Sequence, residues 1–182
     1  MKAKILTAAV MALALMAVSD ASPVVSRQTL RELERRFDQR IETYDAADPF
    51  YLLGSTRGVY LEAYGVVFTS EMNLVTGAVL TPFRPAFTPE QLDQLRTRKL
   101  NRLPAVRTMM RRMMVDAATA LNTVPPSQQV AYGMSLFYYP WENSQELPRQ
   151  VLMEAPRQVL LDFEAGRIGA DAFESAVRVQ EF

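Results

Sequence analysis

The chain contains no cysteine and no histidine. Without cysteine there is no disulfide, no thiolate metal site and no thiol nucleophile, so the fold must be held by its core alone. Without histidine the commonest zinc ligand and the commonest general base are both missing. Serine–histidine–aspartate chemistry is therefore excluded. Lysine is scarce as well: after residue 21 only Lys99 remains, and no Ser-x-x-Lys ends on it, which removes the serine–lysine variant. Charge of one sign is not in excess, with 20 basic and 20 acidic residues, so nothing global draws the chain to nucleic acid or an acidic membrane. Any electrostatic role has to be local.

One long uncharged run stands out at the start. Met1-Lys2-Ala3-Lys4 is a short positive patch, residues 5–18 carry no charge, and Ser19-Asp20-Ala21-Ser22 are mostly small. That order is the one a cleavable secretory signal peptide requires, with Ser19 and Ala21 at the −3 and −1 positions and the cut after Ala21. As a helix the apolar run would rise only about 21 Å, short of a bilayer core of about 30 Å. No cysteine follows to carry a lipid. Residues 1–21 are thus expected to be removed and the protein exported, periplasmic or secreted, with no transmembrane span in what remains. Residues 22–28 read as a flexible lead and 29–182 as a single domain.

Along that domain the periodicity alternates between helix and strand. Thr29 and Glu32 read as a capping box for a helix over 29–44, with Leu30, Leu33, Phe37, Ile41 and Tyr44 inward and Arg31, Glu34, Arg35, Asp38 and Glu42 facing water. Residues 51–54 and 58–61 read as a hairpin around Ser55-Thr56-Arg57, and 66–71 as a further strand, with Gly65 marking a bulge or bend. Residues 78–80 fit either a strand or a loop. Thr88, Pro89 and Gln91, with Phe87 and Leu92 as a hydrophobic staple, open a helix at 89. Pro104 is expected to kink or break it before a second helix to about Leu121. Residues 130–139 and 149–154 make a second hairpin. Pro156 opens a short helix stopped by Gly166, and Asp171 with Glu174 caps a last one. The class this order favours is α+β: a mostly antiparallel sheet of about four to five strands with helices packed on one face.

Four features carry possible chemistry. Met109, Met110, Met113 and Met114 could ligate Cu(I), yet they share one helical side with Val106, Ala117 and Leu121, opposite Arg111, Arg112 and Val115, which is the pattern of a core-facing stripe. Between Asp93 and Asp116 lie seven cations and no acid. Of these, Arg98, Arg102, Arg107, Arg111 and Arg112 form a candidate face for phosphate groups, anionic lipid or an acidic partner. The competing reading is a solvated face neutralised by acids from elsewhere. Phe83, Arg84, Tyr139 and Trp141 sit in two proline- and aromatic-rich loops that could form a ligand cleft if they converge, with Trp141 as a stacking platform. Glu62, Glu71, Glu142 and Glu154 fall on or near strands and could supply a glycosidase pair, although their spacing singles out no two of them.

No cofactor is implied. The leading expectation is a non-enzymatic exported binding domain whose partner is an anionic surface or another envelope protein. The alternative is a carboxylate-dependent hydrolase acting on envelope carbohydrate.

Overall fold

The computed structural model describes residues 25–75 and 86–182. The export segment, the 78–80 stretch, and Phe83 and Arg84 of the candidate ligand loop lie outside the described residues.

Helix α1 (Arg27–Glu42) buries Leu30, Leu33, Phe37 and Ile41, as their spacing demands. It begins earlier than expected. Ser26 is its cap, accepting the Thr29 N–H at 3.0 Å, while Glu32 accepts from the Gln28 amide. The lead is not wholly free either, since Val25 is buried in the core. Glu34 and Asp38, expected to face water, turn toward the sheet. Asp38 accepts the Thr56 N–H (2.7 Å) and Glu34 the Gly58 N–H (2.8 Å).

Strands β1 (Tyr51–Leu52) and β2 (Arg57–Leu61) do not pair with each other as a hairpin would. Both lie antiparallel on β3 (Gly65–Asn73), β1 against Asn73 and Met72 and β2 against residues 65–69. Gly54, at φ 97°, together with the Asp38 anchor on Thr56, offsets the chain between them instead of reversing it. The reversal comes at residues 62–64, ahead of Gly65. Gly65 has φ 134°, and a Cβ there would lie 2.0 Å from the Gln129 carbonyl oxygen, so no other residue fits without moving the backbone.

Helix α2 (Pro89–Ala120) starts with the expected box, Thr88 and Gln91 each bonding the other's backbone N–H. Pro104 does not end it, and the two expected helices are one of 32 residues. Proline inside a helix costs about 3 kcal/mol; here ion pairs anchor the helix on both sides of it, through Arg98, Lys99 and Arg102 before and Arg107, Arg111 and Arg112 after. Val106, Met109, Met110, Met113, Met114, Ala117 and Leu121 are all buried. The C-terminal end is held by the buried Arg157, whose guanidinium donates to the carbonyls of Ala118 and Val124.

Strand β4 (Gln129–Leu136) runs parallel to β3, β5 (Gln150–Pro156) returns antiparallel, and α3 (Arg157–Glu164) and α4 (Ala170–Ala176) lead to β6 (Arg178–Glu181), antiparallel to β5. The result is an α+β fold whose six-stranded sheet is mixed, ordered β1-β3-β4-β5-β6 with β2 also on β3. The expectation of a mostly antiparallel sheet of four to five strands missed the central parallel pair. The β3–β4 connection contains a 32-residue helix, long enough to return the chain to the same end of the sheet. It also missed β6, which offers only Val179 as an apolar signal. On the helix-facing side Val66, Phe68, Met72, Val130, Tyr132, Met134, Val151 and Met153 are buried, with Phe37 edge-on to Phe68 (5.0 Å) and Tyr132 (5.7 Å). Each such side chain contributes roughly 1.5–3 kcal/mol. Polar groups in this layer are paired in a chain, Tyr132 to Ser70 to Thr56. Among the described residues, no helix is long and apolar enough to cross a membrane.

Candidate functional site

The seven cations of α2 all meet acids contributed by other parts of the chain. Arg98 and Arg102 converge on Asp48 (2.8 and 2.7 Å), and Arg102 lies over the Phe50 ring. Burial alone would raise the Asp48 carboxyl, but the Arg98 hydrogen bond and the charges of both guanidiniums outweigh it and hold the group below its ordinary value. Arg107 forms a two-pronged pair with Glu181 of β6, and Arg111 meets Glu174 of α4 at 2.5 Å. Arg112 bridges Glu164 of α3 and Asp116. Arg96 pairs with Glu146, and Lys99 with Glu142. Periodicity placed Arg111 and Arg112 on the open side, yet the Arg111 side chain is only 17% exposed against 47% for Arg112. Val115, expected beside them, is buried. The cause is the α3–α4 pair, whose stacked Phe163 and Phe173 (4.0 Å) lie against this part of α2.

The aromatic loops do meet where they are described. Phe87 stacks on Trp141 (4.7 Å), Trp141 on Tyr139 (5.2 Å), and Tyr139 packs edge-on to Phe137 (5.0 Å). Beside this ladder Lys99 and Glu142 form an ion pair, their side chains 1% and 3% exposed. Glu142 also accepts the Tyr139 N–H, and Lys99 lies 4.9 Å from the Tyr138 ring centre. Burial pulls the Lys99 ammonium below its ordinary range, and the Glu142 hydrogen bond only partly opposes it. The pair is shut off from solvent and fastens the β4–β5 loop to α2.

The other carboxylates lie apart. Glu154 accepts the Tyr64 hydroxyl (2.7 Å) and pairs with Arg178 (2.9 Å), and burial followed by the Glu154 hydrogen bond pushes Tyr64 up to about 12. Glu71 shares the open sheet face with Glu154. The register aligns Glu71 with Ser135 and Gln150, four residues along and two strands away from Glu154. That is roughly 16 Å between backbones, against carboxyl separations of at most about 10 Å in glycosidases. Glu62 is exposed between β2 and β3. No cluster of three or more potential metal-ligating side chains occurs among the described residues.

A groove that sequence reasoning passed over lies between α1 and β2. Arg27, Arg31, Glu34, Arg35 and Asp38 line it from α1, and Ser55, Thr56, Arg57 and Gly58 from β2 and the residues before it; it is open to solvent, with a volume of about 610 Å³. Glu34 and Asp38 are spent on the β2 backbone. Among the described residues, none of the four guanidiniums has a hydrogen bond or ion pair. Arg40, one turn further along α1, is by contrast paired with Asp116 at 2.6 Å. The signal in the sequence was the 27/31/35 spacing, one arginine per helical turn. Contiguous charge on α2 is the louder pattern, but only tertiary structure tells which cations are already neutralised. Four arginines and two carboxylates leave the groove lining with an excess of two positive charges, and guanidiniums free of ion pairs can hold an anion with several oxygens. No protein-family model matches the chain, and neither a curated protein nor a solved structure matches it significantly.

Proposed function

We propose that this chain is an exported, non-enzymatic binding domain that docks an anionic partner in the α1–β2 groove. The observation that carries the reading is the contrast between two arginine sets. Those of α2 are consumed as internal staples, whereas Arg27, Arg31, Arg35 and Arg57 line a concavity with no counter-acid bonded to them. Arginines four apart on a helix repel one another. An arrangement that carries this cost and keeps an excess of two positive charges after Glu34 and Asp38 are counted suits a ligand that supplies negative charge.

The test is retention of the chain, purified without residues 1–21, on an immobilised polyanion such as heparin. Wild type should elute at clearly higher salt than Arg31→Glu/Arg35→Glu, with both melting at about the same temperature. Identical elution would defeat the reading.

A further inference from the structure

We infer that two copies of this chain associate edge to edge, with β6 lying antiparallel to β6 of the second copy. The two edges of the sheet are not alike. At β2 the outward N–H groups of Thr56 and Gly58 are taken up by Asp38 and Glu34. At β6 the backbone is left open. Phe182 and Gln150 exchange both of their hydrogen bonds (3.1 and 3.2 Å), so the register turns the N–H and C=O groups of Arg178, Gln180 and Phe182 toward β5. Those of Val179 and Glu181 point outward, and among the described residues they have no hydrogen-bond partner. Such an edge is a template for another strand. No lysine or proline interrupts residues 178–182. The two charged side chains are engaged within the chain, Arg178 with Glu154 and Glu181 with Arg107. Val179 and Phe182 are 36% and 66% exposed.

Symmetry is what selects a second copy as the partner. Directly opposite residues of an antiparallel pair share a face, and only outward-facing residues can exchange hydrogen bonds across the new edge. A two-fold axis through Gln180 meets both conditions. It sets Val179 opposite Glu181 of the second copy, and Glu181 opposite Val179 of the second copy, so every outward N–H meets an outward C=O. The same axis brings Arg178 opposite the exposed Phe182 ring, a favourable cation–aromatic pairing, and sets no like charges directly opposite. The arginine groove lies at the other edge of the sheet, so it stays open in both copies.

The experiment is sedimentation equilibrium of the chain, purified without residues 1–21, over about 10 µM to 1 mM. A short strand and a small contact imply a dissociation constant on the order of 100 µM, so the mass should climb from that of the monomer toward twice that value. Val179→Pro removes an outward N–H and spares every bond to β5, in a setting where an edge strand tolerates proline. It should weaken association about tenfold with melting unchanged. Because the chain has no cysteine, Gln180→Cys reads the register directly. At the two-fold axis its two thiols come within disulfide reach, and mild oxidation should cross-link it far faster than Arg178→Cys. A wild type that stays monomeric throughout the range would overturn the inference. So would a dimer indifferent to Val179→Pro and cross-linked no faster through residue 180 than through residue 178.

Discussion

Lys99 and Glu142 show how a single pair of side chains can matter more than its surface neighbours. Both are closed to water, so removing one partner strands the other as an uncompensated buried charge. Lys99→Met or Glu142→Gln should each cost about 3–5 kcal/mol in denaturant unfolding, and Lys99→Met/Glu142→Leu should recover much of that loss. A double variant as unstable as the two losses combined would show that the two side chains are not coupled and that each is held by its other contacts. Asp48 gives a pH signature. Its folded-state pKa is lowered, so its contact with Arg98 and Arg102 contributes fully above the unfolded value of about 3.9 and is lost as pH falls through the lowered folded value. The stability gap between wild type and Asp48→Asn should therefore shrink from pH 7 to pH 3; a gap constant across that range would mean the carboxylate is not engaged. Gly65 is a backbone constraint. With a Cβ only 2.0 Å from the Gln129 oxygen and φ 134°, Gly65→Ala should destabilise by more than about 1 kcal/mol, as glycine substitutions at incompatible φ do.

Among the elements, α2 combines what periodicity reveals with what it hides. The methionine stripe was legible because burial repeats with the helical turn, and Met113 is fully enclosed. Met113→Ala should cost about 2–5 kcal/mol by chemical denaturation; a cost near zero would mean the site collapses without loss. The outer faces were not legible. Val115 and Arg111 are covered by α3 and α4, elements some fifty residues away in sequence, and no local pattern encodes that contact. Pro104 misled for the same reason: its local penalty is real, but ion pairs from distant segments hold the helix on both sides. At α1 the capping chemistry was read one turn late, because Ser26 and Thr29 are both competent caps and the burial of Val25 favours the earlier start.

At the scale of the whole molecule, the α+β class followed from the order of strand-like and helix-like stretches, while the sheet's connectivity did not. A β3–β4 neighbourhood depends on where a 32-residue helix delivers the chain. The same packing sorts the arginines. Helix α2 sits among β6, α3, α4 and the β1 approach, each of which brings an acid, whereas α1 faces an edge strand whose backbone takes up two of its four carboxylates, Glu34 and Asp38. That edge is thereby shielded, since the outward N–H groups of Thr56 and Gly58 are occupied. Among the described residues, the arginines above it have no ion pair. Arginine Nε–H signals, followed by NMR as tripolyphosphate is added to the chain, test this most directly. Shifts should concentrate on Arg27, Arg31, Arg35 and Arg57 and leave Arg98, Arg102, Arg107, Arg111 and Arg112 in place; shifts confined to the second set, or spread evenly over both, would contradict the account.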